Sequence, residues 1–286
     1  MTTEAKFESV DGYTVVDLAG AARLVGPIRS AKKVLQRTTI DLVRHNTYAC
    51  AVHGLNASGA AAALNYDRSS EADAPFEHFA RELGTWAEEN TFIGSTNMGL
   101  SPAEAGPTLS ASAARIAETV ALSAASSLPK QATNIVIASP EEEPQITAAL
   151  DGREFSQVAD LAEALSSGAH AVLVRGKTGV LDHAVLEDTN VKSIIGLQPL
   201  TLTARGLAVA TRAGVLTIPS FISAAGPTLA ALGATDDQIS TLTKKVLINL
   251  ASTGDVRHLF VSACEHAEAH MRTLTDSLPF GRPLAP

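Results

Sequence analysis

The runs Asn134-Ile135-Val136-Ile137-Ala138 and Ala171-Val172-Leu173-Val174 decide the fold class of this chain. Both are short, apolar and rich in β-branched residues, and similar runs follow at Val191–Ile195 and Val215–Ile218. Segments with helical periodicity separate them. Unbroken apolar strands that alternate with helices are typical of a parallel sheet buried on both faces. We therefore predict an α/β fold for this part of the chain.

The residues before these runs predict a second set of strands and helices. Apolar and polar residues alternate from Val10 to Leu18, as in a strand, whereas Leu35–Val52 and Phe76–Glu89 repeat with a helical period. Thr91–Gly99 predicts a short strand that runs into a loop. Glycine and proline in Leu24-Val25-Gly26-Pro27-Ile28 indicate a turn.

A chain of 286 residues with 45% apolar content is long enough for two domains. We place an N-terminal α/β domain at residues 1–127 and the parallel-sheet domain at residues 128–235. Residues 236–286 contain two long predicted helices, Asp236–Leu250 and Asp255–Leu274. We expect them to pack back on the first domain.

Composition excludes several classes of partner. The formal net charge is −8, and the basic residues are scattered, which argues against nucleic acid and anionic membranes. Apolar runs stay well short of the ~20 residues that span a bilayer. Cys50 and Cys264 lie far apart inside apolar segments, which favours free buried thiols and a reducing compartment. We expect a cytoplasmic protein.

Two stretches carry a resemblance to a known family. The segment Ala51-Val52-His53-Gly54-Leu55-Asn56-Ala57-Ser58-Gly59-Ala60-Ala61 is similar to a helix and glycine-rich turn, and Gly214–Pro227 is similar to a late strand and helix. Together with the order of elements from about Arg23 to Leu274, they resemble the glutamate, leucine, phenylalanine and valine dehydrogenase superfamily. The resemblance implies a first domain that binds substrate and builds oligomers, followed by a Rossmann-like domain that is shortened here.

The departures from the family pattern fall where its chemistry is expected. The resemblance places the substrate-binding lysine at Ala49, the catalytic lysine at Ala61 and the catalytic aspartate at Asn97. The asparagine that orients cofactor and substrate falls near Gln198. Alanine supplies no base for proton abstraction, so an ordinary oxidative deamination is not expected.

The cofactor site departs as well. Dinucleotide binding needs a glycine-rich turn between a strand and a helix. Here the run that ends at Ala138 leads into Ser139-Pro140-Glu141-Glu142-Glu143-Pro144, which has three carboxylates and no glycine. Compared with the family, the Asn134 strand resembles the second nucleotide-domain strand, which implies that the first strand is deleted. We predict that no nicotinamide cofactor binds.

His53 and Asn97 are our candidate catalytic residues. His53 is interpreted as a general acid or base, or alternatively as a cap at the end of its helix, since imidazole suits both positions. Asn97 would orient the ligand. A neutral hydrogen-bonding set around them is suited to orienting a polar ligand without a formal charge, although Asn and Ser are also ordinary turn residues. The predicted substrate-binding positions are Ala49, Asn56, Ser58, Ala61, Ser95, Thr96, Gln198 and Ser220.

No metal site is predicted. Cys264, His266 and His270 lie on one helix, but a metal needs more ligands than this segment brings together. Cys50 is interpreted as a small core residue, because a reactive thiol needs a nearby base.

Two functions of different class remain open from the sequence. The first is a repurposed dehydrogenase fold that binds a small amino, imino or keto acid between its domains, as an enzyme of cyclisation, isomerisation, dehydration or a lyase step. The second is a catalytically inactive partner of a dehydrogenase or biosynthetic enzyme. NAD-dependent deamination is the least favoured. A homo-dimer or higher oligomer is expected, with a paralogous enzyme as a further partner.

Overall fold

A computed structural model describes residues 2–69, 75–105, 112–253 and 258–286. The chain forms two compact units: unit 1 comprises Met1–Ser112 and Ala267–Arg282, and unit 2 comprises Ala113–His266 and Pro283–Pro286. This division differs from the predicted boundary at residue 127 by one helix. The roles assigned to the domains stay predictions. Residues 255–257, the beginning of the predicted helix Asp255–Leu274, lie outside the described residues.

Unit 1 is built on a mixed sheet with the strand order β1-β2-β4-β3-β5. Strands β3, β4 and β5 run parallel to one another, and β2 is antiparallel to β4. The strands are β1 (Thr3–Lys6), β2 (Gly12–Val16), β3 (Leu24–Ala31), β4 (Ser58–Asn65) and β5 (Phe92–Met98).

Strand β3 corrects the predicted turn at Leu24–Ile28. Gly26 and Pro27 lie inside this strand, which is between β4 and β5, and they pair with Gly94 and Ser95 of β5. On the other side, the pairing of β3 with β4 passes from Val25 directly to Ile28. Proline cannot donate to a ladder, so a strand tolerates it where the ladder is interrupted. The segment that is similar to the family's glycine-rich turn is also partly a strand here, because β4 begins at Ser58.

Two helices cover the two faces of this sheet. Val43 of α1 (Gln36–Val52) contacts Val15 and Ala61 on one face. Phe79 and Leu83 of α2 (Phe76–Asn90) belong to the core on the other face. The short helix α3 (Pro102–Ala105) follows β5.

A buried ion pair fixes α1 within unit 1. Asp17 is 0% exposed, and its carboxylate accepts from Arg44 Nε at 2.6 Å and from Nη2 at 3.0 Å. Arg44 Nη1 donates to the backbone carbonyls of Phe280 and Gly281. One side chain therefore connects β2, α1 and the C-terminal segment of this unit.

Unit 2 contains a fully parallel sheet with the order β10-β9-β8-β6-β7, which confirms the predicted α/β class. Its strands are β6 (Ile135–Ala138), β7 (Phe155–Val158), β8 (Ala171–Val174), β9 (Ser193–Gly196) and β10 (Leu216–Ile218). Its helices are α4 (Ala113–Ser126), α5 (Pro144–Ala149), α6 (Leu161–Ser166), α7 (His183–Leu186), α8 (Ala204–Arg212), α9 (Ser220–Ser223), α10 (Gly226–Ala231) and α11 (Asp236–Thr253), with α12 (Leu259–Met271) continuing into unit 1.

The strand order places β6 between β7 and β8. A doubly wound sheet of order 3-2-1-4-5-6 gives this arrangement when either its first or its third strand is absent. The deletion of the first nucleotide-domain strand therefore stays a prediction. The sequence does not predict β7, because Phe155–Val158 is mostly exposed at the sheet edge and two polar residues interrupt its apolar ones.

Among the described residues, no helix is both long and apolar enough to cross a membrane.

Candidate functional site

Arg29 lies in a row of side chains on the face of the unit 1 sheet that α1 covers. In this row Tyr13 of β2 pairs with Ala63 of β4, Ala63 with Arg29 of β3, and Arg29 with Met98 of β5. The row crosses β3, β4 and β5 near their carboxyl ends. Ligands of α/β sheets commonly bind at this end of parallel strands.

The Arg29 guanidinium is buried without a carboxylate among the described residues. Arg29 is 8% exposed, and burial lowers its pKa from the ordinary value. Nη1 lies 3.5 Å from Thr39 Oγ1, and Nη2 lies 3.6 Å from the Met98 sulfur. Nε has no hydrogen-bond partner within the described structure. Because an isolated charge is expensive to bury, this group needs a functional or structural explanation.

Asn97 is the extra residue of a β-bulge beside Arg29. Ile28 pairs with Thr96 and Arg29 pairs with Met98, so the register of β5 shifts by one residue at Asn97. Bulges often occur next to functional sites, where they re-aim side chains. The side chains of Thr96 and Asn97 lie outside the described part of the structure, so their predicted roles stay predictions.

Ala61 and Ser95 lie on β4 and β5, the two strands that flank β3. Ser95 pairs with Pro27, two residues before Arg29, and Ala61 packs with Val15 and Val43 beneath α1. Ala49 is on another face of α1, since Thr47 faces β4 and two residues turn a helix by about 200°. Both Ala49 and Ala61 are fully buried. The structure therefore separates the two positions that the resemblance assigns to lysines.

His53 occupies the position that its alternative interpretation describes. It is the C-cap residue of α1, and its Nδ1 lies 2.7 Å from the Ala49 carbonyl oxygen. When protonated there, Nδ1 donates a hydrogen bond to the last turn of the helix. The side chain is buried. The acid–base role of His53 stays a prediction.

We expect His53→Ala to lower the free energy of unfolding by about 1 kcal/mol, because the mutant loses one buried hydrogen bond at the helix end. Urea unfolding followed by the fluorescence of Trp86, which lies in α2, measures this change. A change in the pH profile of turnover, with stability unaltered, would instead support the acid–base role.

Ser58 and Asn56 contact backbone groups. Ser58 is fully buried; its hydroxyl accepts from the Leu18 N–H at 2.9 Å and lies 3.0 Å from the Gly59 carbonyl. The exposed Asn56 accepts from the Ala22 N–H through its side-chain oxygen at 3.3 Å. These bonds give both residues a structural role, and their predicted binding of substrate remains untested.

Unit 2 has a separate crevice at the carboxyl ends of β6 and β8. The connection after β6 leads to one side of the sheet and the connection after β8 to the other, which makes this the topological switch point. The crevice has a volume of about 400 Å³. It is lined by the turn Ser139–Glu143 together with Arg175 and Gly176.

The turn in this crevice does not fit a dinucleotide. Glu143 accepts from Arg175 Nε at 2.7 Å and from Nη2 at 2.8 Å, so the arginine at the crevice is already neutralised. The Glu141 N–H donates to Ser139 Oγ at 3.3 Å, and Pro140 and Pro144 have no N–H to offer. The other two carboxylates of the turn, those of Glu141 and Glu142, repel a diphosphate, which requires free backbone donors and a close glycine backbone.

Gln198, in the loop after β9, and Ser220, the first residue of α9 after β10, lie at the same end of the unit 2 sheet. Gln198 Oε1 accepts from the Gly176 N–H at 3.4 Å, and Ser220 Oγ accepts from the Leu200 N–H at 3.2 Å. Leu200 has a φ of 57°, a conformation that is strained for a side chain of this size. Strained backbone conformations cluster at functional sites. Gln198 and Ser220 therefore stay predicted ligand contacts.

Cysteine chemistry and metal binding gain no support from the geometry. Burial raises the pKa of the Cys50 thiol to about 12, so the nucleophilic thiolate is disfavoured. Neither Cys50 nor Cys264 forms a disulfide, and both are buried. Within the described ranges, His, Cys, Asp and Glu form no group that could hold a metal ion.

Sequence comparison and structural comparison give different results. The chain matches no protein-family model and no curated protein. It superposes on the L-tryptophan dehydrogenase of Nostoc punctiforme with a TM-score of 0.73 and 12% identity, covering 97% of this chain and 96% of that one. It superposes on the hetero-hexameric glutamate dehydrogenase of Thermus thermophilus, in a leucine-bound form, with a TM-score of 0.69 and 13% identity, covering 97% of this chain and 90% of that one. The superposition on the glutamate dehydrogenase of Peptoniphilus asaccharolyticus has a TM-score of 0.69 and 11% identity, covering 96% of this chain and 91% of that one. The chain therefore has the fold of amino acid dehydrogenases over almost its full length.

Proposed function

We propose that this chain, on the fold of the amino acid dehydrogenases, binds a small amino, imino or 2-oxo acid and acts on it without a nicotinamide cofactor. The acidic turn after β6 carries the proposal. It occupies the switch point of the parallel sheet, where a dinucleotide would need glycine and free N–H groups. Instead, Glu143 and Arg175 neutralise each other there.

The reaction classes compatible with this proposal transfer protons and need no hydride acceptor. They are cyclisation, isomerisation, dehydration and lyase chemistry. Each requires a positioned acid or base, for which His53 is the candidate, and a group that orients the ligand, for which Asn97 is the candidate. The dehydrogenases of similar fold act on amino acids, which supports an amino-acid-related ligand.

Calorimetric titration tests the cofactor-free part of the proposal. We expect NAD⁺, NADH, NADP⁺ and NADPH to give no saturable heat at millimolar concentration, because the turn supplies negative charge where the diphosphate would lie. The same protein is titrated with amino acids and 2-oxo acids, of which at least one should bind. Micromolar affinity for any of the four dinucleotides would overturn the proposal.

A second candidate function is that of an inactive partner of a dehydrogenase or biosynthetic enzyme. The burial of Ala49 and Ala61 favours it, since both methyl groups contribute to packing. The Thermus glutamate dehydrogenase, which is hetero-hexameric, offers a precedent for mixed assemblies. Co-purification with a tagged paralogous dehydrogenase from the same cell tests this function. A protein that sediments as a monomer alone and in that mixture contradicts it.

A further inference from the structure

Arginines elsewhere in the chain use the same edge of the guanidinium to hold a carboxylate. Arg44 binds Asp17 through Nε and Nη2, at 2.6 and 3.0 Å. Arg175 binds Glu143 through the same two atoms, and Arg282 binds Glu268 in this way at 2.8 and 3.1 Å. Two parallel N–H groups match the two oxygens of a carboxylate, which makes such pairs strong and specific in orientation.

Arg29 presents this edge to no carboxylate in the described part of the chain. Its Nε is unbonded there, and its Nη2 faces the Met98 sulfur, which is a weak acceptor. The remaining nitrogen, Nη1, lies near the Thr39 hydroxyl, which in turn lies 3.3 Å from the Tyr13 hydroxyl. Contacts on the Nη1 side hold the guanidinium and leave the Nε and Nη2 edge available.

We propose that the Nε and Nη2 edge of Arg29 binds the carboxylate of a small 2-amino or 2-oxo acid, with the Met98 side chain moving aside to admit it. The ligand class rests on the proposed function. The site itself rests on a guanidinium that is more than nine-tenths buried and has no counter-charge among the described residues.

Met98 is a suitable cover for this site. It is 37% exposed, so it lies between the guanidinium and solvent, and it ends β5 directly after the bulge at Asn97. Methionine is unbranched and flexible, and its weak contact with Nη2 is readily exchanged for a charged hydrogen bond. A carboxylate would also remove the unfavourable state of a lone buried cation.

Arg29→Met separates a ligand-binding role from a structural one. Methionine has a similar length and removes the uncompensated charge, so we expect the melting temperature of the ligand-free protein to rise by about 2–6 °C. Arg44→Met is the matched control in the same unit. Arg44→Met leaves the buried Asp17 carboxylate without its counter-charge and should lower the melting temperature. A lower melting temperature for Arg29→Met, or its failure to fold, overturns the proposal.

Ligand binding is measured by thermal shift and calorimetry at constant ionic strength. The probes are L-alanine, L-leucine, pyruvate, 2-oxoglutarate and acetate, with chloride as the reference anion. We expect at least one carboxylate to stabilise the wild type, and Arg29→Met to weaken its binding at least tenfold. Arg29→Lys keeps the positive charge but cannot form a bidentate hydrogen bond with the carboxylate. We therefore expect its affinity to lie between those of the wild type and Arg29→Met.

The outcomes distinguish this site from the broader function. If no acid binds the wild type, the proposed ligand class and this site both fail. If acids bind wild type and Arg29→Met equally, the proposed function stands and the Arg29 site is wrong. Equal stabilisation by chloride shows a nonspecific anion effect and overturns the site. A change of sedimentation coefficient in Arg29→Met, without any response to acids, assigns the guanidinium to a contact between subunits and also overturns it.

Discussion

Asp17→Asn is expected to lower the free energy of unfolding of unit 1 by about 3–5 kcal/mol, because it leaves the Arg44 guanidinium buried without its counter-charge. Arg44 is 4% exposed and cannot reach water without local unfolding. The loss extends beyond the pair, since Arg44 also holds the carbonyls of Phe280 and Gly281. Trp86, the single tryptophan of the chain, lies in unit 1, so its fluorescence during urea unfolding reports this unit directly.

The control for this experiment is a surface ion pair in the same unit. Lys32 and Asp67 lie 2.8 Å apart, but the lysine side chain is 82% exposed. Exposed pairs contribute little, because water and salt screen them. We expect Asp67→Asn to leave the unfolding midpoint unchanged within error. Equal midpoints for Asp17→Asn and the wild type would contradict the assignment of Asp17 as the counter-charge of Arg44.

Gly59→Ala is expected to prevent α1 from packing on β4. A Cβ at residue 59 would lie 1.9 Å from the Val43 carbonyl oxygen and 2.8 Å from Thr47 Oγ1. The nearer atom belongs to the helix backbone, which cannot move without displacing α1. The Gly59 N–H also donates to Thr47 Oγ1 at 3.0 Å, and this bond would break. We expect a destabilisation of at least about 3 kcal/mol, seen as a red-shifted Trp86 emission at low urea.

Gly54→Ala is the matched glycine control, five residues away along the chain. Gly54 has a φ of 71°, and a Cβ there meets nothing within 4 Å. The substitution therefore adds backbone strain without a clash, at a cost of about 1–2 kcal/mol. If Gly54→Ala proves more harmful than Gly59→Ala, the close contact between α1 and β4 does not determine the stability of unit 1.

The sequence predicts the fold class because the buried strands of unit 2 are continuous apolar runs. Ile135–Ala138 and Ala171–Val174 are buried strands at the predicted positions. Two strands that the sequence does not predict, β3 and β7, are not continuous apolar runs. β3 contains Gly26 and Pro27, and local propensity cannot reveal that its ladder with β4 is interrupted at these two residues. β7 is an exposed edge strand in which two polar residues separate Phe155 from Val158, so it lacks a continuous apolar run.

The candidate site was only partly predictable for a related reason. Ala49, Ala61 and Asn97, where the resemblance expects two lysines and an aspartate, can be identified along the chain. The significance of Arg29 depends instead on three-dimensional structure, since no carboxylate pairs with it in the part of the chain that the structure describes. One signal was present in the sequence. Arg29 is the single charged residue between Leu24 and Ala31, and a charge inside a buried strand needs a partner. Predicting a turn at Gly26-Pro27 concealed it.

The acidic turn after β6 also constrains how this chain can evolve. Glu143 receives hydrogen bonds from Ser139 at 3.0 Å and from Arg175, so it now supports the structure of the crevice. If Glu143 is replaced by glycine first, the half-buried Arg175 loses its counter-charge. If Arg175 is replaced first, the buried Glu143 carboxylate loses its counter-charge. Either order passes through a less stable intermediate, because neighbouring residues in one network do not contribute independently. Converting this turn into a phosphate-binding turn therefore requires several changes together, and no single substitution gives a stable intermediate.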